Sequence, residues 1–411
     1  MVSHPSVAST SMIHMLVRAI AASLMLAPAT GATVARAAAP GADLISPAAG
    51  VPGNIATPDL TGRGLPDLVV PEFGTDLLAV RLNDGHGSFG PVTRYPVGLK
   101  PSFIAVGDFD RDGHLDLAVS DAGSSDVSVL LGRGDGTFAA ARNHRISQWS
   151  PGLPGTSNGT FSLEAADLTA NGILDLVTAN SASNDVSVLM GNGDGTFQPA
   201  RTYPIAARAG VGILPFAMSL GRFGDARAPD LVVGGGHSVT IMRNDGHGAF
   251  RSVGHYFVGF DIACTKVADL RGNGRMDIVA TGTGTLNAKV LLGNGDGTFA
   301  PGQNLSSGGF GPQCISIDRL RGNRNLDLAV VNSGSPSGAG DLAVFDGDGA
   351  GHFALAATYP VGILPWASSI ADFNRNGTPD IAVADTGVPA EVSVLFGNPD
   401  GTFQPQIVYP M

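Results

Sequence analysis

One loop of the chain gathers four carboxylates within nine residues, DFDRDGHLD at 108–116. The acids are Asp108, Asp110, Asp112 and Asp116, and a glycine follows the third. Glycine permits a sharp turn, so alternate side chains converge on one point, and His114 adds a backbone carbonyl. Calcium takes about six to eight such oxygens, and clustered acids repel one another without a cation. The loop predicts a calcium site, and the alternative is a solvent-facing turn held by Asx-type hydrogen bonds.

The loop recurs seven times, at intervals of 47 to 59 residues between its last aspartates. These aspartates are Asp67, Asp116, Asp175, Asp230, Asp277, Asp327 and Asp380. Compared with the four acids of 108–116, the seventh loop keeps an oxygen-bearing side chain at every equivalent position, and the third keeps a weaker set. The donors are Asp372, Asn374, Asn376 and Asp380 in the seventh loop, and Asp167, Thr169, Asn171 and Asp175 in the third. We expect calcium in the second and seventh loops, and its occupancy of the third stays open.

The other four loops have lost ligands. Arg63 and Arg271 each replace one, Arg319 and Arg321 replace two in the sixth loop, and the fourth (222–230) keeps only Asp230. An arginine at such a position can replace the cation by pairing with the end carboxylates. We expect these loops to hold without metal, and bound calcium to be structural rather than catalytic.

Short strands must position these loops. A continuous apolar run such as Leu117–Val119 follows each loop, and an alternating run then leads to a glycine-rich turn that ends in phenylalanine. The turn phenylalanines are Phe89, Phe138, Phe197, Phe250, Phe299, Phe353 and Phe403. Four strands in about fifty residues are typical of a propeller blade. We predict an all-β fold, a seven-bladed β-propeller with four antiparallel strands per blade. A solenoid is the alternative, although it would carry atypical end repeats.

The paired loop and GDGTF turn resemble the FG-GAP/VCBS repeat family, which includes the propeller heads of integrin α subunits. The resemblance covers 51–411 and rests on seven copies of the motif in phase. It implies calcium ligands at loop positions one, three, five and nine, with the carbonyl of position seven. It also implies an adhesion or recognition role.

The first 39 residues differ from the rest because they contain no acid and include an apolar stretch before A-x-A patterns. They predict a signal peptide cleaved near Ala39, ahead of one propeller domain at 40–411. The true start codon stays open. We therefore expect a secreted, cell-surface or periplasmic protein with no later transmembrane segment. A net charge of −11 and only three lysines argue against a nucleic-acid partner.

Two features fall outside the repeat. Cys264 and Cys314 occupy equivalent positions in adjacent repeats, and the sequence leaves open whether they are bridged or free. A surplus segment at 143–161 carries Trp149, the best candidate for a ligand contact, because long loops on rigid scaffolds often bind. The other tryptophan, Trp366, is expected to pack between blades.

The leading function is an extracellular binding or adhesion module for a protein or glycan. Histidines are scattered and lysines scarce, so no catalytic set is identified. A polysaccharide lyase or hydrolase using the propeller pocket is the alternative, and a non-binding structural repeat protein is a third.

Overall fold

The computed structural model describes residues 54–146, 160–205, 214–224, 227–283, 287–334, 338–387 and 390–411. Its strands form seven sheets in chain order. The first sheet contains β1 (Leu68–Glu72), β2 (Leu77–Arg81) and β3 (Thr93–Pro96). The second contains β4 (Pro101–Gly107), β5 (Asp116–Asp121), β6 (Asp126–Leu130) and β7 (Arg142–Arg145). The third contains β8 (Thr160–Ala166), β9 (Asp175–Asn180), β10 (Asp185–Leu189) and β11 (Arg201–Pro204).

The remaining four sheets repeat this order. The fourth contains β12 (Pro215–Gly221), β13 (Asp230–Gly235), β14 (Ser238–Asn244) and β15 (Phe250–Phe257). The fifth contains β16 (Asp261–Ala268), β17 (Asp277–Thr283), β18 (Asn287–Gly293) and β19 (Phe299–Ser306). The sixth contains β20 (Pro312–Asp318), β21 (Asp327–Asn332), β22 (Ala339–Gly347) and β23 (Phe353–Ile363). The seventh contains β24 (Pro365–Ala371), β25 (Asp380–Asp385), β26 (Glu391–Leu395) and β27 (Ile407–Pro410).

These sheets confirm the predicted seven-bladed β-propeller. Neighbouring strands of a blade pair antiparallel, for example β4 with β5 and β5 with β6. The second strand of a blade is buried along its length, as in β5 and β21, because sheets pack on both of its faces. The outermost strand, such as β7, is mostly exposed. No helix long and apolar enough to span a membrane occurs within the described ranges.

The first blade differs from the expected four strands. Its innermost segment pairs only through the bridge between Ala56 and Val69. Two residues on, Pro58 accepts the N–H of Asp67 at 2.8 Å. Proline has no N–H to return, so the ladder ends there.

The ring closes between the first and last blades. One core cluster joins Leu68 and Phe89 of the first blade to Phe373 and Val392 of the seventh. Asn83 Nδ2 donates to the Phe373 carbonyl at 2.9 Å, across the same junction. Closure excludes the solenoid, because a solenoid leaves its end repeats unpaired with each other.

Aromatic side chains of neighbouring blades contact each other. The outer-strand tyrosine of one blade meets the turn phenylalanine of the next edge to face, as Tyr95 meets Phe138 and Tyr359 meets Phe403, with ring centroids 5.4 Å apart in both pairs. Gln303 replaces the tyrosine in the fifth blade and exchanges two hydrogen bonds with the Phe353 backbone, at 3.0 and 2.8 Å. The turn phenylalanine therefore has a structural role.

Strand direction divides the loops between two faces. The acidic loops connect the first and second strands of each blade, and the GDGTF turns connect the third and fourth. Because the strands are antiparallel, both lie on one face, called here the acidic-loop face. The connections between blades lie on the opposite face, called the connection face.

Candidate functional site

The acidic loop of the second blade brings three predicted ligands together. Carboxylate oxygens of Asp108, Asp110 and Asp116 all lie within 4.8 Å of one another. Asp108 also accepts the N–H groups of Asp112 (3.1 Å) and Gly113 (3.0 Å), which shapes the turn. Burial, followed by the neighbouring Asp112 and Asp108 charges, raises the pKa of Asp110 although backbone N–H donation opposes this. The arrangement disfavours a full set of negative charges unless a cation joins it.

Asp112 and His114 lie beside this group. Asp112 Oδ1 accepts the N–H of His114 at 2.8 Å, an Asx-type contact, and Asp112 is outside the three-carboxylate cluster. No ion pair reaches Asp108, Asp110 or Asp112 among the residues that the structure describes. All the donors are oxygens, the set that a hard divalent cation takes.

The seventh and third loops have the same backbone geometry with fewer acids. Asp372 accepts the N–H groups of Asn376 (3.1 Å) and Gly377 (2.8 Å). Asp167 does the same for Asn171 (3.0 Å) and Gly172 (2.7 Å). The remaining predicted ligands lie in the same turns, at Asn374, Asp380, Thr169 and Asp175.

Thr169 is a further feature of the third loop that favours a bound cation. Its Oγ1 atom is buried and has no hydrogen-bond partner in the described part of the chain. A buried hydroxyl without a partner is costly, and a cation held between Asp167 and Asp175 would supply one. The residues present therefore fit an oxygen-coordinated cation here too.

Arginines take the place of a cation in two other loops. Arg271 Nη2 lies 2.7 Å from Asp277 Oδ1, which confirms the predicted pairing in the fifth loop. In the fourth blade, Arg243 of the third strand, β14, lies 3.2 Å from Asp230. Sequence reasoning missed Arg243, because it lies 13 residues after the carboxylate that it neutralises.

The first and sixth loops are held differently. Arg63 donates to Thr61 Oγ1 at 2.7 Å and to the Asn83 carbonyl at 3.2 Å, so it bonds neutral oxygens rather than the end carboxylates. Arg321 of the sixth loop pairs with Asp346 of β22, the third strand of the blade. Arginine pairing with the end carboxylates is thus not general.

The last aspartate of each loop has a structural role in all seven blades. Asp116 accepts the N–H groups of Phe109 and Gly132 at 2.7 Å each, which ties the acidic loop to the neighbouring turn. Equivalent bonds hold Asp67, Asp175, Asp230, Asp277, Asp327 and Asp380. This pairing does not depend on whether the loop keeps the other ligands.

A central channel of about 540 Å³ runs between the first strands of the blades. Phe103 and Trp366 line it near the connection face, and the Trp366 ring meets Phe216 of the fourth blade with centroids 6.2 Å apart. Trp366 is therefore half-buried in the channel wall. It also packs against the core cluster shared by the first and seventh blades, which confirms the expectation that it packs between blades.

Four ionisable side chains line the middle of the channel: Glu164, Cys264, Lys266 and Cys314. Burial opposes the charge on Lys266, but the Cys314, Cys264 and Glu164 side chains outweigh it and raise its pKa. Burial likewise raises the pKa of Glu164, with Lys266 acting in the opposite direction. Sequence reasoning did not place these residues together, because they come from three blades.

The model of an FG-GAP-like repeat matches residues 59–119, 108–178 and 227–280. Over these residues the chain is similar to FG-GAP-like repeats. This confirms the resemblance seen in the loop and turn motifs. No curated protein matches the chain.

Solved structures share the propeller fold with this chain. A lectin from Agrocybe aegerita, solved for its recognition of non-reducing terminal N-acetylglucosamine, is 22% identical with a TM-score of 0.55, covering 86% of this chain and 93% of its own. BBS1N, solved in complex with ARL6DN, is 14% identical with a TM-score of 0.58, over 86% and 94%. Virginiamycin B lyase from Staphylococcus aureus is 12% identical with a TM-score of 0.53, over 82% and 92%. At these identities the likeness shows the fold alone.

The connection face of the FG-GAP-like propeller presents large apolar side chains to solvent. Phe257 and Phe310 are 68% and 61% exposed. Leu99, Leu214 and Ile363 are also exposed in the equivalent connections of other blades. These five side chains lie in five different connections between blades, or at the strand end that leads into the connection, and are called here the connection-face ring.

The backbone of these connections is strained. Lys100, Leu214 and Leu364 have φ values of 54°, 47° and 52°, and each directly precedes a proline. A bulky residue in this left-handed region costs about 1–3 kcal/mol. Such strain is concentrated at functional sites.

Trp149, the predicted contact residue, lies outside the described residues, as does the predicted signal peptide.

Proposed function

We propose that this FG-GAP-like propeller is an exported binding module that takes a protein partner on its connection face. The observation that carries the proposal is the connection-face ring, Leu99, Leu214, Phe257, Phe310 and Ile363. Exposed apolar patches mark interaction sites, and five exposed apolar side chains share this face. Aliphatic and phenylalanine side chains match another protein's apolar surface better than they match a sugar's hydroxyl groups.

Calcium has a supporting role in this proposal. The oxygen donors of the second, seventh and third loops would hold the ion on the acidic-loop face, opposite the ring. The ion would neutralise clustered carboxylates and lock the loops. It would not touch the partner, so chelation would weaken binding only through loss of stability.

Two observations bear on the enzymatic alternative. A lyase needs a base near the channel mouth, and Lys266 is the channel's basic side chain among the described lining residues. Because its pKa is raised, Lys266 stays protonated at neutral pH and cannot accept a proton. The channel chemistry therefore favours binding over proton abstraction.

The test pairs two surface variants. Phe257→Ser with Phe310→Ser alters the ring, and Val253→Ser with Leu355→Ser alters exposed apolar side chains of outer strands as a matched control. Each protein is applied to an array of extracellular protein domains from the source organism and to a glycan array. We expect a protein ligand whose affinity falls at least about tenfold in the ring variant only, the loss of about 1.4 kcal/mol.

Three results would contradict the proposal. A glycan ligand whose binding survives the ring substitutions would move the site elsewhere. The absence of any ligand on both arrays would favour a structural repeat protein. Depolymerisation of an acidic polysaccharide with new unsaturated ends would make the protein a lyase.

A further inference from the structure

The chain has two cysteines, and the fold brings them together in the central channel. Cys264 lies on β16 and Cys314 on β20, the first strands of neighbouring blades. Each is 13 residues before the last aspartate of its loop, so the two strands present them at the same level. Both thiols line the same channel, each lies 3.9 Å from a backbone carbonyl (that of Thr265 for Cys264, that of Ile315 for Cys314), and both are free. Their proximity follows from ring closure, since 50 residues separate them in sequence.

The surroundings activate one of the two thiols. The neighbouring Cys264 thiol lowers the pKa of Cys314 to about 7, with the Lys266 ammonium group adding to the effect against the opposing influence of burial. The pKa of Cys264 moves in the other direction, because of the neighbouring Cys314 side chain and its own burial. A thiolate next to a thiol is the arrangement of an attacking and a resolving cysteine.

We propose that Cys264 and Cys314 form a redox pair that closes to a disulfide linking the fifth and sixth blades across the channel wall. The oxidant is a small disulfide compound of the glutathione type. The Cys314 thiolate attacks one sulfur of this compound, its S–S bond breaks, and one thiolate leaves. Cys264 then loses its proton and attacks the Cys314 sulfur, which releases the second thiolate. The two cysteines lose two electrons and two protons, and the compound is reduced to two thiols.

The position of the pair explains what the bond would do. The disulfide would close a loop of the chain from residue 264 to residue 314, which contains most of the fifth blade. The acidic loop of this blade is held by Arg271, and no calcium is expected there. A cross-link that closes a loop of this length restricts the unfolded chain and so stabilises the fold. The pair does not depend on what binds the connection face.

The experiment uses the whole chain in buffers of graded oxidised and reduced glutathione. Free thiols are trapped by alkylation at each potential, and the intact mass is measured. We expect two alkylated cysteines in reducing buffer and none in oxidising buffer. We also expect the unalkylated oxidised mass to be lower by about 2 Da, the mass of two hydrogens. The transition should be a single two-electron step, and the melting temperature should be higher in the oxidised protein.

Two variants test the assigned roles. Cys264→Ser should stop at a mixed disulfide with glutathione on Cys314, because no resolving thiol remains. Lys266→Met should move the pH midpoint of Cys314 alkylation upward and slow disulfide formation. Lys289→Met, a lysine outside the channel lining, is the matched control and should change neither.

Other outcomes would overturn the proposal. Two alkylatable thiols after prolonged oxidation, or a mixed disulfide that persists in the unsubstituted protein, would show that the sulfurs cannot reach bonding geometry, which needs Cα atoms about 4.4–6.8 Å apart. A mass increase that a chelator removes would show a metal dithiolate instead.

Discussion

Arg271 Nη2 lies 2.7 Å from Asp277 Oδ1, and Asp277 is fully buried. In the second blade the equivalent aspartate, Asp116, faces Asp108 and Asp110 instead of a guanidinium group. One position in the fold is thus neutralised in two ways, by an internal arginine or, as proposed, by calcium. Blades of one ring can differ in how this aspartate is neutralised, because the side chains that surround it come from its own blade.

Removing the internal cation should be costly. Arg271→Ala leaves a buried carboxylate without its partner, a loss of about 3–5 kcal/mol in the free energy of unfolding. Denaturant unfolding measures this, with the exposed Arg275→Ala of the same loop as control. Equal stability of the two variants would show that the ion pair has no net role.

Calcium should raise the melting temperature of the unsubstituted protein above its value with a chelator. At about one hundred times the dissociation constant, one bound ion adds about 2.7 kcal/mol. Asp110→Ala combined with Asp112→Ala should remove most of this shift, since it takes two carboxylates from the best loop. Arg319→Ala in the sixth loop should leave it unchanged. An equal melting temperature with calcium and with a chelator would contradict the metal proposal.

The last aspartate should matter where no metal is expected. Asp327 accepts the N–H groups of Leu320 and Gly347 at 2.9 Å each. Asp327→Ala leaves both donors buried without a partner, at about 1–3 kcal/mol each. Asp327→Asn keeps one accepting oxygen and should lose about half as much. Calorimetry with the exposed Arg324→Ala as control checks this, and a neutral Asp327→Ala would show that the pairing is incidental.

Stability should fall as the pH rises from about 4 to about 8. Burial raises the pKa of Asp121 from 3.8 to about 8; a hydrogen bond from Ser128 opposes this shift, and the charge of Asp126 adds to it. Burial likewise raises the pKa of Asp385 to about 7; a hydrogen bond from Ser393 opposes this shift, and the charge of Glu391 adds to it. The folded protein therefore binds more protons than the unfolded chain over this range, and the stabilisation present below pH 4 is lost as the pH rises.

Asparagine substitution should abolish this pH dependence. Asn180 and Asn332 already occupy the equivalent strand ends of the third and sixth blades, so asparagine fits there. Asp121→Asn with Asp385→Asn should leave stability unchanged near pH 4 and raise it near pH 8. Urea unfolding at both values measures the effect, and an unchanged slope with pH would refute the assignment.

Much of the fold was determined locally by the sequence. Apolar runs bounded by turn residues specify strands, and their recurrence about every fifty residues specifies blades. The donors of the acidic loops could be ranked one by one because all lie within nine residues. Pro58 has no N–H group to donate, so the innermost segment of the first blade pairs with β1 over only a few residues. The repeat pattern did not predict this difference between blades.

Ring closure decided the rest. Glu164, Lys266, Cys264 and Cys314 face one another only because seven first strands surround one axis. The connection-face ring likewise consists of single exposed residues, each 43 to 115 positions from the next in the sequence. Arg243 reaches Asp230 through the pairing of strands in its blade. Sequence spacing reports contacts within a turn or strand, whereas contacts between blades depend on a curvature that only the packed sheets establish.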